Sequence, residues 1–251
     1  MKKSSIFIHI PKTGGTSVNY AMAKASAGWA PFHKYVRKKY IGTRISKDAV
    51  HIGDNESGNH GHQNICAIYT ENELKKYELF TVVRNPYSRL VSLFEFYRSR
   101  FQDSYWVPKN NMVTFDSFVR GLLNRHIVEP GTVHRKGFVE GYDLYISPSM
   151  PQVSWLPDPE KINVKVYKLE NLNSLFDDFK ITPVHQNAGT YKYGPQWTAG
   201  LERHSKDLLK KVKSGLSKNW KPYYNQERLD IVNSIYSDDF IRFNYKVYEV
   251  I

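Results

Sequence analysis

The sequence predicts an α/β fold with a mostly parallel sheet, and three strand–turn–helix units predict it. Residues 4–10 (SSIFIHI) are β-branched and aromatic and run into a glycine turn that opens a helical stretch. Residues 79–83 (LFTVV) form a second apolar strand, stopped at Arg84-Asn85-Pro86 and followed by an amphipathic helix. Residues 164–169 (VKVYKL) form a third, again with a helix behind it. Strands separated by helices must return in the same direction, which gives a parallel sheet covered by helices.

The elements follow in order. After the first turn, residues 16–24 have helical composition, with Val18, Ala21, Met22 and Ala25 at i, i+3, i+4, i+7, until Gly28 and Pro31 break the helix. Residues 29–48 are basic and aromatic without a clear period. Residues 49–53 (AVHIG) suit a short buried strand before a polar loop rich in Gly and His. A helical turn or two is expected over 71–77. Residues 87–100 carry Leu90, Val91, Phe94 and Tyr97 on one helical face. The stretch 101–160 is less regular, with a short helix over 114–124 that Thr114 can cap and a proline-rich segment at 148–159. A helix over 170–179 follows the third strand, and residues 181–200 read as loop. A basic helix at about 200–215 and a last one from 226 to about 236 close the chain. No internal repeat, low-complexity tract or linker interrupts the sequence, so a single domain over 1–251 is expected.

With 251 residues, 41% hydrophobic and 24% charged, the chain is long enough to bury a sizeable core, which excludes disorder as its main state. No segment approaches the ~18–20 consecutive apolar residues of a membrane-spanning helix. The N-terminus enters its first strand too soon for a signal-peptide core. The lone Cys66 excludes an internal disulfide and fits a reducing compartment, so a soluble, cytoplasmic protein is expected. The net charge of +12 is uneven: residues 1–125 hold 19 Lys and Arg against 9 Asp and Glu, a net +10. Such a field attracts nucleic acid, an anionic membrane or an acidic small molecule.

Motifs choose among these partners. In Pro11-Lys12-Thr13-Gly14-Gly15-Thr16-Ser17, the glycines let backbone N–H groups converge on an anion, the following helix adds its positive end, and the hydroxyls add donors. Alone, the run reads either as a phosphate or sulfate cradle or as an ordinary βα turn. It is not a Walker A loop, because Lys12 precedes the glycines, and no G-x-G-x-x-G supports a dinucleotide oxidoreductase. At the end of the second strong strand, Arg84 leaves the sheet and Ser92 lies one to two turns into the next helix. A guanidinium and a hydroxyl so placed suit a second phosphate. Read singly, they are a surface ion-pair partner and a helix-face residue. His60-Gly61-His62 lies in a polar loop, where imidazoles serve as base, ligand or solvated side chains. With no Cys, Asp or Glu at ligand spacing, zinc is not expected.

Together these segments resemble the sulfotransferases that use 3′-phosphoadenosine 5′-phosphosulfate (PAPS), in which a P-K-[TG]-G-[TS]-[TS] run grips the 5′-phosphosulfate and a later R-x7-S element grips the 3′-phosphate. Residues 81–98 (TVVRNPYSRLVSLFEFYR) are similar to the carbohydrate branch of the family, the heparan sulfate 2-O-sulfotransferase-like members of sulfotransferase family 2. Weaker similarity continues through VYKLENL (166–172), HQNAG (185–189) and the closing 223–245. The resemblance implies a P-loop-like three-layer fold with helices flanking the central sheet. It implies a sulfotransferase of EC 2.8.2 type that moves a sulfuryl group from PAPS to a hydroxyl of a carbohydrate or small molecule, leaves PAP, and needs no metal. It implies donor contacts from Lys12, Thr13, Gly14, Gly15, Thr16, Ser17, Arg84 and Ser92; Arg89, on the helix between the last two, reads either as a further nucleotide contact or as a surface-pair residue. Lys12 also serves catalysis, and His62, with His60 as the second choice, is the general base. A late loop at 185–191 would close over the nucleotide, while Arg135-Lys136-Gly137 lies too early to match the Arg-Lys-Gly element of cytosolic sulfotransferases. Two rivals stand: a basic nucleic-acid-binding protein, for which no motif speaks, and a non-catalytic nucleotide-binding homologue.

Overall fold

The computed structural model describes residues 5–25, 29–30, 57–59, 65–100, 114–127, 148–182 and 220–249. Among them, five parallel strands form one sheet in the order β2-β3-β1-β4-β5: β1 Ser5–Ile8, β2 Trp29–Ala30, β3 Ser57–Asn59, β4 Glu78–Val83 and β5 Val164–Lys168. The α/β expectation therefore holds, with a parallel sheet and helices packed on it. The helices are α1 Gly15–Ala25, the single turns α2 Ile65–Ile68 and α3 Glu71–Leu74, α4 Pro86–Arg100, α5 Phe115–Ile127, α6 Asn173–Phe179, α7 Gln226–Ile235 and α8 Ser237–Arg242.

β1 and β4 are covered on both faces, which is why they read as unbroken apolar runs instead of alternating ones. On one face Phe7, Phe80 and Val82 pack under Val18, Ala21 and Met22 of α1 and Leu175 and Phe176 of α6. On the other, Ile6, Ile8, Leu79 and Val83 meet Trp155, Ile162 and Phe243. The polar residue within the buried part of β4 is Thr81, whose hydroxyl donates to the Ile8 carbonyl at 2.8 Å and ties the two central strands together.

A third cluster stacks Tyr87, Leu90 and Phe94 of α4 on Phe118, Val119 and Leu122 of α5 and on Leu229 and Val232 of α7. Thr114 caps α5 as expected, its hydroxyl accepting from Ser117 N at 3.1 Å. Arg120 and Arg228 bridge Asp116 to α7, Arg120 also reaching Glu227. The Arg120–Glu227 pair is exposed and screened, and the Arg228–Asp116 pair is only half-buried. Each fully buried Leu or Phe contributes about 1.5–3 kcal/mol, so the apolar seam holds these helices together.

Candidate active site

The strand order locates the site. From β1 the chain crosses toward β2 and β3 on one side of the sheet; from β4 it crosses toward β5 on the other. The carboxyl ends of β1 and β4, hydrogen-bonded neighbours, therefore flank a topological switch point, where open α/β sheets leave a crevice for ligand. Both turns singled out in the sequence open here.

In the first turn, Thr13 is fully buried and its hydroxyl donates to the Ile10 carbonyl at 2.8 Å, closing the loop on itself. Lys12 and Gly14 both have positive φ, 69° and 88°. Glycine adopts this freely, whereas for Lys12 it costs about 1–3 kcal/mol, strain that the surrounding contacts must hold. The first intrahelical bonds of α1 run from Ser17 N and Val18 N to the Gly14 carbonyl, at 3.0 and 3.3 Å. The amides of Gly15 and Thr16 thus precede the helix's own ladder, at its positive end.

The glycines are also steric requirements. A Cβ on Gly14 would lie 2.5 Å from Leu169 Cδ1, and one on Gly15 would lie 2.0 Å from both Cδ2 and Nε2 of His9. His9 stacks on Phe7, centroids 5.4 Å apart, and fills the space under the first turn of α1. The expected result of Gly15→Ala is a displaced loop and a lower melting temperature, partly restored by His9→Ala in the same chain. A double-mutant cycle in thermal melts checks it, and strictly additive effects would contradict the contact.

The second turn is built by its sequence. Asn85 caps α4, its Oδ1 accepting from Tyr87 N at 3.1 Å and Ser88 N at 3.3 Å, and Pro86 takes the first helical position where no N–H is needed. Asn85 N donates to Glu170 Oε1 at 2.8 Å, and Tyr245 OH donates to Glu170 Oε2 at 3.0 Å. Burial first, and then the Glu170 charge, pushes the Tyr245 phenol well above its ordinary range, so it stays a donor. Arg84 reaches from this turn into the first one: Nε donates to Ser88 Oγ at 2.9 Å and Nη1 to the Lys12 carbonyl at 3.3 Å. Ser92, half-buried, lies one helical turn beyond Ser88 on the same side of α4.

Arg89 sits lower. It is fully buried, with Nε on the Pro11 carbonyl at 3.1 Å, Nη1 on Met150 O at 2.9 Å and Nη2 on Pro148 O at 2.8 Å. Its three nitrogens tie the glycine loop to the 148–150 turn and so brace the loop.

Lys12, Thr13, Gly14, Gly15, Thr16, Ser17, Arg84 and Ser92 are thus carried by two adjoining turns and the helices they open. His60 and His62 lie outside the described residues, as do 34–47, 49–53, 135–137, 185–191 and the expected helix at about 200–215. β3 ends at Asn59, one residue before His60, and Asn59 is paired with Phe7 of β1. Trp155 is core, fully buried in the cluster under β1 and β4, and its Nε1 finds no acceptor among the described residues. Sequence reasoning overlooked His9, although its place two residues before Pro11 at a strand end was a signal. Among the described residues no helix is long and apolar enough to cross a membrane.

The sequence matches the model of the sulfotransferase family, Sulfotransfer_2, over residues 2–246. No curated protein matches the chain.

Proposed function

The chain belongs to the sulfotransferase family and its activity is sulfuryl transfer; we propose that its donor is PAPS and its acceptor a hydroxyl of a carbohydrate or small molecule. The observation that carries this reading is the pair of anion-suited turns on either side of one switch point, joined by Arg84 to the Lys12 carbonyl. When bound, the donor supplies a sulfuryl group whose leaving group is a phosphate. The residues present suit its two anionic ends. The amides of Gly15 and Thr16, the hydroxyls of Thr16 and Ser17 and the Lys12 ammonium would hold the phosphosulfate end. Arg84 and Ser92 would hold the 3′-phosphate.

Two kinds of work fall to the chain's own groups. Lys12 and the amides at the head of α1 balance negative charge at the loop without reorganising, because the loop is fixed in advance by Thr13, Arg84 and Arg89. His62, with His60 as the alternative, takes the proton of the acceptor hydroxyl, since imidazole titrates near neutral pH. The end of β3 at Asn59, beside Phe7, supports drawing the base from this run.

Thermal melts test the donor. PAP at about 100 times its Kd adds roughly 2.7 kcal/mol of stability, a rise of roughly 5 °C or more in a chain of this size, and ATP adds much less. Equal shifts from both, or none, would overturn the reading.

A further inference from the structure

We propose that Gln152, held by Asp239, is a positioning residue for the donor site that fixes Arg84 by its backbone. This rests on the donor reading above and assigns a role to residues outside both motifs.

Gln152 is fully buried and its side-chain amide lies along the Arg84 peptide unit. Oε1 accepts from Arg84 N at 2.8 Å and Nε2 donates to the Arg84 carbonyl at 2.9 Å. That two-bond pattern is what a neighbouring strand would offer. The sheet stops supplying it here, because the last pairs are Ile8 with Thr81 and Val83 with Lys168. Gln152 therefore continues the ladder for one residue past β4, at the residue whose side chain reaches the glycine loop.

Asp239 fixes Gln152 in turn. Fully buried on α8, it accepts from Gln152 N at 2.8 Å and Gln152 Nε2 at 3.1 Å through Oδ2, and from Val153 N at 2.9 Å through Oδ1. Both Nε2 hydrogens are thus engaged, one on Arg84 and one on Asp239. Rotating the amide by half a turn would set Oε1 against two acceptors and Nε2 against the Arg84 N–H, so the orientation is determined by chemistry. Burial raises the Asp239 carboxyl above its ordinary range, while the Arg89 charge and the donors from Gln152 and Val153 pull it back. A buried carboxylate facing three donors is costly to keep for packing alone, since an apolar side chain would fill the space at lower cost. Here it sets a line from the C-terminal helices through Gln152 to the Arg84 backbone, and from the Arg84 guanidinium to the Lys12 carbonyl. A displacement of about 1 Å at Arg84 is enough to lose much of an oriented contact.

The test uses the full chain with Gln152→Leu and Asp239→Asn. Calorimetric titration gives the PAP Kd, steady-state kinetics the KM of donor and acceptor, and circular dichroism the folded fraction. Gln152→Leu is expected to raise PAP Kd and donor KM about tenfold or more with acceptor KM unchanged. Asp239→Asn, which touches no atom of Arg84, is expected to raise the same two quantities by less. Unchanged PAP Kd in folded Gln152→Leu, or an equal rise in acceptor KM, would overturn the proposal. So would failure of both variants to fold, which would assign the pair to the core. If Gln152→Leu alone fails to fold, Asp239→Asn decides by the same readings. Wild-type protein that does not bind PAP would overturn the donor reading itself, an outcome distinct from a wild type and variant that bind equally well.

Discussion

His62→Ala is expected to remove nearly all turnover while leaving PAP affinity close to that of the wild type. A general base in this position contributes about 10²–10⁴-fold, and its loss falls on the chemical step. Nothing in the proposed donor contacts depends on it: the phosphosulfate end is assigned to the loop at Lys12 to Ser17 and the 3′-phosphate to Arg84 and Ser92. The wild-type rate should also fall toward acid pH, as an imidazole base protonates, and this limb should be missing from the residual rate of the variant. His60→Ala is the companion measurement and is expected to cost less. A larger loss in His60→Ala would exchange the two assignments. Loss of PAP binding along with turnover in His62→Ala would make His62 a structural residue and withdraw the base from it.

The parts of the fold that were legible in the sequence are those decided locally. β1, β4 and β5 announce themselves by short β-branched runs ending in turn residues, and α4 by Asn85-Pro86 followed by an apolar stripe. β2 and β3 did not, because Trp29-Ala30 and Ser57-Gly58-Asn59 have no strand composition. They are strands only through pairing, Trp29 with Ser57 and Ile6 with Gly58, partners far apart in sequence. α6 begins at Asn173 instead of at 170, because residues 169–171 form a 3-10 turn that aims the Glu170 carboxylate at the Asn85 amide. α8 was not foreseen, since the chain bends at Tyr236 and restarts after it. In the site, both turns were legible because glycine, proline and asparagine carry their backbone demands in the sequence itself. Gln152 and Asp239 were not, for neither has a local pattern, and their meaning comes from hydrogen bonds that join residues 68 and 87 positions apart.

Arg89→Ala is expected to be among the most destabilising substitutions in the chain. Arg89 is one of the largest fully buried side chains, and its three nitrogens serve carbonyls on two separate segments, Pro11 on one and Pro148 and Met150 on the other. Alanine leaves those carbonyls without their donor, opens a cavity and removes the cation that offsets the buried Asp239 carboxylate. A loss of about 3–5 kcal/mol follows from removing one side of such a buried charged network. Against a total stability of about 5–15 kcal/mol, that lowers the melting temperature by roughly 10 °C and leaves part of the population unfolded near physiological temperature. Arg89→Lys should fall between, because one ammonium on a flexible stem cannot reproduce a planar fork aimed at two segments. Arg120→Ala is the control: Arg120 is 48% exposed and its partners Asp116 and Glu227 are solvated, so its melt should stay near that of the wild type. An Arg89→Ala melt within 2 °C of Arg120→Ala, as an order-of-magnitude margin, would mean that the glycine loop keeps its strained shape without its brace, and that contacts such as those of Thr13 and Arg84 suffice to hold the φ of Lys12.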